Sequence, residues 1–532
     1  MRSRIPRTIA AVLLVGVGAG QYLGMPTAWL RHGVVHVAPW GSDLLIGHAR
    51  QWPLRSLARA VVLAAPGETI LLWPGTYRET VLLRRGGLPG KPLRIRAAIP
   101  GTAVISGAAP PQQTARWHWR QRDPRVFTTT LAPSISALSL DDQAAFQAQS
   151  LPEFIALCRR HGAWPLFHAE APVGWFRTRT LWLCLPDGSQ PRLHRLTVHR
   201  PIPVRSRAGG HQTATLWIRA SYVEISHLHF DFAVGAAIQL WDAREIYLHN
   251  NLFTAADVAI NSNPSLRPPR RIRVEHNAYH HAPQHHWRRW LTWAELYRYS
   301  NSSLISLDGS DHTIRANLVV HSGDALKLAT QTGQTRVSGN LIAGSSDDAI
   351  ELDGNSAPIL IDANLVVNSF AGISATPLPG GPVTLQGNLF LNGPSNGHNT
   401  WLKLLQGPIA ALRLRDNLFV GEWIGWYGGG AAGEPLNSHK NRLFAVHRFG
   451  PHPAPDGALR HDRVVGLDRA QWPEPTAGPA ALPGLPTGIR FNAAAVGPCW
   501  INPERMPPFR ELTPLLRSGW LDPAPSRATP PC

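Results

Sequence analysis

Asn317-Leu-Val-Val, Asn340-Leu-Ile-Ala, Asn364-Leu-Val-Val and Asn388-Leu-Phe-Leu are four copies of one phrase, spaced 23, 24 and 24 residues apart. Related phrases begin at Asn251, Asn277 and Asn417, and His227-Leu-His-Phe fits the same frame, 24 residues before Asn251, without its Asn. A fixed period of this length is the signature of a solenoid. Each period holds two or three short runs of Val, Ile and Leu punctuated by Gly, Asn, Asp and Ser, and none is long or periodic enough for a helix. The unit is therefore a coil of short strands stacked along an axis.

Stacking explains the Asn. Equivalent residues of successive coils lie about 4.8 Å apart, the strand spacing. An Asn at a coil corner tolerates a left-handed backbone, and its amide can bond the amides above and below. The ladder is read as structural, not catalytic.

The formal charge is +18, and the chain has only four lysines: Lys91, Lys327, Lys403 and Lys440. A surface this basic attracts polyanions. The arginines are scattered and no nucleic-acid motif is present, which leaves acidic polysaccharide as the expected partner and excludes nucleic acid. Arg2, Arg4 and Arg7 precede an apolar run at residues 9–23. That pattern predicts a signal peptide or an uncleaved N-terminal anchor over residues 1–25, hence a secreted, periplasmic or envelope-anchored monomer that meets a membrane only through that segment. Export permits disulfides. Among Cys158, Cys184, Cys499 and Cys532 three pairings exist, and Cys158–Cys184 is the local one; two buried thiols are the alternative.

Residues 34–107 read as the first coils, with the amphipathic stretch beginning at Leu54 as a helical cap over the open end. Gly41-Ser-Asp, Ser56-Leu-Ala-Arg-Ala, Ala65-Pro-Gly-Glu-Thr-Ile and Pro74-Gly-Thr-Tyr-Arg-Glu resemble the opening of secreted right-handed parallel β-helix proteins. These form the pectate-lyase-like superfamily, which includes chondroitinase B and the alginate lyases of polysaccharide lyase family six. The Asn ladder resembles them too. The expected fold is all-β: a right-handed parallel β-helix with an N-terminal capping helix and a small β-rich insertion at 108–200. Coils follow at 201–430, and a Pro/Gly-rich extension at 431–532 wraps or caps the last coil. A second insertion at 278–302 carries His281, His285, His286, Trp287, Arg288 and Trp290. Its aromatic faces and guanidinium suit a sugar-binding wall, with His285, Trp287 and Arg288 as the contacts.

Aligning coils on the Asn aligns a second strand, whose outward column reads Gln239, Asn261, Ser306, Lys327, Glu351, Ser374 and Lys403. Asp324 and Asp347-Asp348 begin these strands, and Asp308 and Asp353 lie two residues further along. Lys327, Asp324, Asp348 and Glu351 are the candidate catalytic residues, exposed in one shallow groove, with Asp308 and Asp353 as substrate contacts. Adjacent carboxylates split their pKa values, which suits acid–base work. A Lys with a depressed pKa could abstract a proton beside a uronate, and Asp347, Asp348 and Glu351 could hold Ca²⁺. The alternative is a plain cross-strand pair with turn aspartates.

The resemblance leaves the reaction open. Family-six lyases carry a Lys base and an Arg where this chain has Asp308 and Ala329. Polygalacturonase-like hydrolases carry an Asp, then an Asp pair, then Gly-His-Gly; Asp324, Asp347-Asp348 and Gly372-Ile-Ser are similar to that layout, with Ala371 at the His position. The expectation is a lyase or glycoside hydrolase acting on acidic polysaccharide, with a non-catalytic polysaccharide-binding or envelope scaffold as the alternative.

Overall fold

The computed structural model describes residues 33–501, apart from 132–136, 142, 161–164, 174–175, 200–203, 206–210, 213, 234, 263–267, 282–301, 329, 379, 395–399, 407–411, 429–435, 452–458, 469–471, 473 and 478–495; beyond 501 it describes 509 and 512–518. Three ladders of parallel strands, here called the first, second and third sheets, stack through the described coils, the second and third joining at Leu418–Tyr427, so each coil contributes one short strand to each face. In the coil beginning at Thr313, for instance, the strands are Thr313–Arg315, Leu318–Val320 and Leu326–Lys327, and each pairs in parallel with its successor 23 or 24 residues on. This is a parallel β-helix.

The Asn ladder runs between the first and second sheets. Asn340 Oδ1 accepts both the backbone N–H and the Nδ2 of Asn317, each at 2.9 Å, and Asn340 Nδ2 donates to the Ile314 carbonyl and to Asn364 Oδ1. The same pattern links Asn251, Asn277, Asn317, Asn340, Asn364, Asn388 and Asn417. It continues to Asn441 and ends on Asp462, whose carboxylate accepts without needing to donate. These asparagines are buried, so each amide must be satisfied by the stack.

Two details differ from the expectation. The left-handed residue at the corner is the one before the ladder: Asn250, His276, Ala316, Gly339, Ala363, Gly387, Asp416 and Lys440 all have φ between 53° and 63°. A left-handed L-residue costs about 1 kcal/mol, and the buried amide bonds of the next residue offset it. The frame of the preceding coil is also shifted by one. His229 pairs with Leu252, so Leu228 takes the ladder position and donates its N–H to Asn251 Oδ1 at 3.1 Å.

The three sheets enclose one apolar core, with ring stacks between successive coils such as Phe390 on Phe419 at 4.9 Å. The helix Leu57–Leu63 closes the N-terminal end. Ser56 caps it, the Glu79 carboxylate accepts the N–H groups of Leu57 and Ala58, and Leu57, Ala60 and Val61 bury into the core. Sequence 108–213 leaves the solenoid without breaking its stacking, because Leu93–Ala97 pairs directly with Ser221–Ser226. This excursion forms a five-stranded sheet and the helix Leu151–Arg159, and Cys158 and Cys184 are disulfide-bonded there with Cα atoms 5.7 Å apart.

The C-terminal extension does not simply cap the last coil. Its strands Asn437–His439, Arg442–Pro451 and Arg463–Gly466 continue the stack, and described residues beyond them, from Trp472 on, lie against the outer face of the second sheet. Trp472 donates to the Asn392 carbonyl, Gly497 N–H to Ala316, and Trp500 to the Asn250 carbonyl. Phe509, Leu512 and Leu515 pack with Leu341, Leu365 and Leu389 in a second apolar layer.

Candidate active site

The outer face of the third sheet carries the predicted column in the predicted register. Asn261 pairs with Ser306, Ser306 with Lys327, Lys327 with Glu351, Glu351 with Ser374, and Ser374 with Lys403. Parallel in-register pairing puts these side chains one strand spacing apart. Lys327 Nζ lies 2.6 Å from Glu351 and 3.0 Å from Asp324. The backbone N–H of Asp348 donates to Asp324 Oδ1 at 3.1 Å, which ties the two strand starts together.

Lys403 completes the cluster; the sequence reading put it in the same column but not among the candidate residues. Its ammonium lies 3.1 Å from Asp348 and 3.3 Å from Asp347. It reaches them across the intervening coil. The residue in between, Ser374, is small, and its hydroxyl turns aside to donate to Asp353 at 2.7 Å. Asp353 also accepts the Thr376 N–H at 2.8 Å and so anchors the following turn.

The expected exposure needs correcting. Asp324, Asp347 and Asp348 are 2%, 4% and 1% exposed, while the side chains of Lys327, Glu351 and Lys403 remain partly open at 20%, 17% and 14%. The aspartates form the floor and the longer side chains the lip. Asp324 sits inward because its carboxylate is needed by the Asp348 N–H, and a buried donor left unmet is costly.

Four carboxylates thus face two ammonium groups. Burial first, then the charge of Asp324, pushes Asp347 up to about 6 and Glu351 up to about 7. Burial and then Asp347 hold Asp348 well above the usual carboxylate range. Burial would lower Lys327 and Lys403, but the carboxylates beside each outweigh it and raise both. A lysine held protonated in this way cannot serve as a proton-abstracting base. Asp308, pushed up to about 6 by burial alone, lies two coils from Asp353 along the next column.

The group whose oxygens approach within 4.8 Å is Asp324, Asp347 and Asp348, so Asp324 takes the place expected of Glu351 in a cation-binding set. The Lys403 ammonium already lies against two of these three. Of the predicted wall, His285, Trp287 and Arg288 lie outside the described residues. His281 is buried, with its Nε2 3.8 Å from Asp257.

An aromatic pair adjoins the cluster. Phe370 immediately precedes Ala371, which pairs with Asp348, and Trp426 pairs with Lys403. Their rings meet edge to face at 5.4 Å, and both are half-buried. Trp426 stands one coil period beyond Lys403, which was the available signal. The strand Leu418–Tyr427 runs through a corner without a turn residue to mark it.

No family model matches the chain. An uncharacterized protein of Bacillus subtilis, YwoF, is 37% identical over 90 residues, 17% of this chain and 16% of that protein. Pectate lyase L of Dickeya chrysanthemi is 35% identical over 88 residues, 15% of this chain and 20% of that protein. The chain therefore matches about a fifth or less of the length of these curated relatives. Among solved structures, the complex of XylC with xylose aligns with a TM-score of 0.45 and 12% identity, covering 78% of this chain and 70% of that one. Its stacked parallel strand ladders make the chain a parallel β-helix.

Proposed function

We propose that this protein is an exported enzyme that cleaves an acidic polysaccharide by hydrolysis at the carboxylate–lysine cluster. The observation that carries the reading is the charge imbalance: four carboxylates share two ammonium groups in a largely buried setting. A structural ion pair does not need surplus carboxylates, since apolar residues of similar size would be as stable or more so. Surplus buried carboxylates keep protons near neutral pH, as an acid catalyst must.

In this reading Glu351, at the lip, donates its proton to the glycosidic oxygen as the C–O bond breaks. Asp347 accepts a proton from the attacking water. Lys327 and Lys403 hold the carboxylates in place and balance the charge that remains. This is the two-carboxylate division of labour in glycoside hydrolysis. The raised pKa of Lys327 speaks against elimination with Lys327 as base. Phe370 and Trp426 offer an apolar platform for a sugar ring beside the cluster. The Cys158–Cys184 bond supports export to an oxidising compartment.

The test is incubation of the purified protein with polygalacturonate, alginate and glycosaminoglycans, following both new reducing ends and the absorbance of unsaturated product. New reducing ends without unsaturated product support hydrolysis. Unsaturated product would replace it with elimination. If Asp347→Asn and Glu351→Gln leave cleavage intact, the assignment to this cluster fails; if no substrate is cleaved, the scaffold reading, with doubly paired lysines as stabilisers, takes its place.

A further inference from the structure

The outer face of the first sheet offers a second surface, separated from the cluster by the corner at residues 307–310. One outward column carries Thr313, Arg336, Leu360, Thr384 and Arg413 in register. The next carries Arg315, Asp362 and Arg415. Arg336 is held by Asp362 through hydrogen bonds of 2.9 and 2.6 Å. Arg315, Arg413 and Arg415 are exposed, and no hydrogen bond or ion pair engages their guanidinium groups among the described residues. Beside these columns lies an open cavity of 490 Å³, lined by Pro358, Leu360 and Pro382, by Gln334, Thr335 and Thr384, and by Arg336 and Asp311, the last engaged by Arg270 at 3.4 Å.

We propose that this cavity, with Arg315 toward one end of the same sheet face and Arg413 and Arg415 four strands further on, binds an acidic polysaccharide chain as a docking surface distinct from the carboxylate cluster. Apart from Asp311, whose charge Arg270 offsets, the lining suits a sugar acid. Proline and leucine present apolar surface to the C–H face of a ring, and threonine and glutamine meet hydroxyls. Free guanidinium groups take carboxylates or sulfates in two-pronged contacts. The overall charge of +18 draws such a polymer in from a distance. Single-stranded nucleic acid fits less well, because it needs exposed aromatic platforms for its bases, and the cavity lining has none apart from His312, which is 2% exposed.

The experiment measures binding, not turnover, so it does not depend on the cluster being catalytic. The full-length protein carrying Glu351→Gln, which removes the proposed acid and so prevents consumption of the ligand, is titrated calorimetrically with oligogalacturonate, oligoalginate and neutral xylo-oligosaccharide. One or both acidic oligomers should bind, and the neutral one should not. Adding Arg315→Ala, Arg413→Ala and Arg415→Ala should weaken binding about tenfold and flatten its salt dependence. The triple arginine variant in the otherwise native chain should fold with an unchanged circular dichroism spectrum. Acidic oligomers binding equally well to the triple variant would overturn the proposal. So would failure of any acidic oligomer to bind, or tighter binding of a single-stranded oligonucleotide or of anionic vesicles. Binding that depends on the arginines, with no turnover by the native protein, would uphold this surface and count against the hydrolytic reading alone.

Discussion

Lys403 is bonded to Asp348 at 3.1 Å although a whole coil, through Ser374, separates their strands. Among the described residues the ammonium is one of two that neutralise the four carboxylates, so its removal should be felt in both stability and acidity.

Lys403→Met keeps the length and apolar stem of the side chain but removes the charge. Two buried aspartates then lose their cation. Breaking a buried pair from one side costs about 3 kcal/mol, and chemical denaturation should show a loss of that order. The double variant Lys403→Met/Asp348→Asn should recover part of it.

Glu351→Gln and Asp347→Asn should each lower kcat at least about 100-fold, the usual scale for a lost acid–base group. In the native protein the acid must be protonated, so the rate should fall as pH rises through about 7. The base must be ionised, so the rate should fall as pH drops through about 6. A bell between these limits is expected for kcat/KM, and a flat profile from pH 5 to 8 would contradict the assignment.

The same raised values make a stability statement. Glu351 binds its proton more tightly folded than unfolded, so its contribution is fully present below its ordinary value and is lost as pH rises through about 7. Buried histidines work the other way in this window: His227, His229 and His312 are held down to about 4 by burial. The test is therefore the difference between native protein and Glu351→Gln. The native protein's relative stability should be greatest near pH 4 and decline toward pH 8.

Asn340→Ala should destabilise the fold by about 3 kcal/mol. It strands the Asn317 N–H and the Ile314 carbonyl, two buried groups costing about 1–3 kcal/mol each when unmet. Thermal unfolding should report it, with activity at low temperature retained.

Trp426→Ala should raise KM for a polymeric substrate several-fold, up to about tenfold, with little change in kcat. A fall in kcat alone would place the ring outside the binding path.

The Asn phrases were legible because a hydrogen-bonded stack demands the same residue in every coil, and the Lys327–Glu351 contact was legible because parallel pairing preserves register. What escaped reading depends on less local physics. Lys403 joins the cluster only because Ser374 is small and turned away. The burial of Asp324 follows from a backbone N–H one coil on. The left-handed corner residue varies freely, from Ala to Asp to Lys, because the Asn beside it fixes the turn. The extension's course along the second sheet has no period to betray it.

That extension changes how the molecule should come apart. Stacked coils interact only with their neighbours, so a bare solenoid unfolds by fraying from either end. Here a single late segment touches the coils of Asn392, Ala316 and Asn250 in turn. It ties together coils that lie apart along the stack, so they should melt together. A stepwise array becomes one cooperative unit, secured only when the last part of the chain has been made.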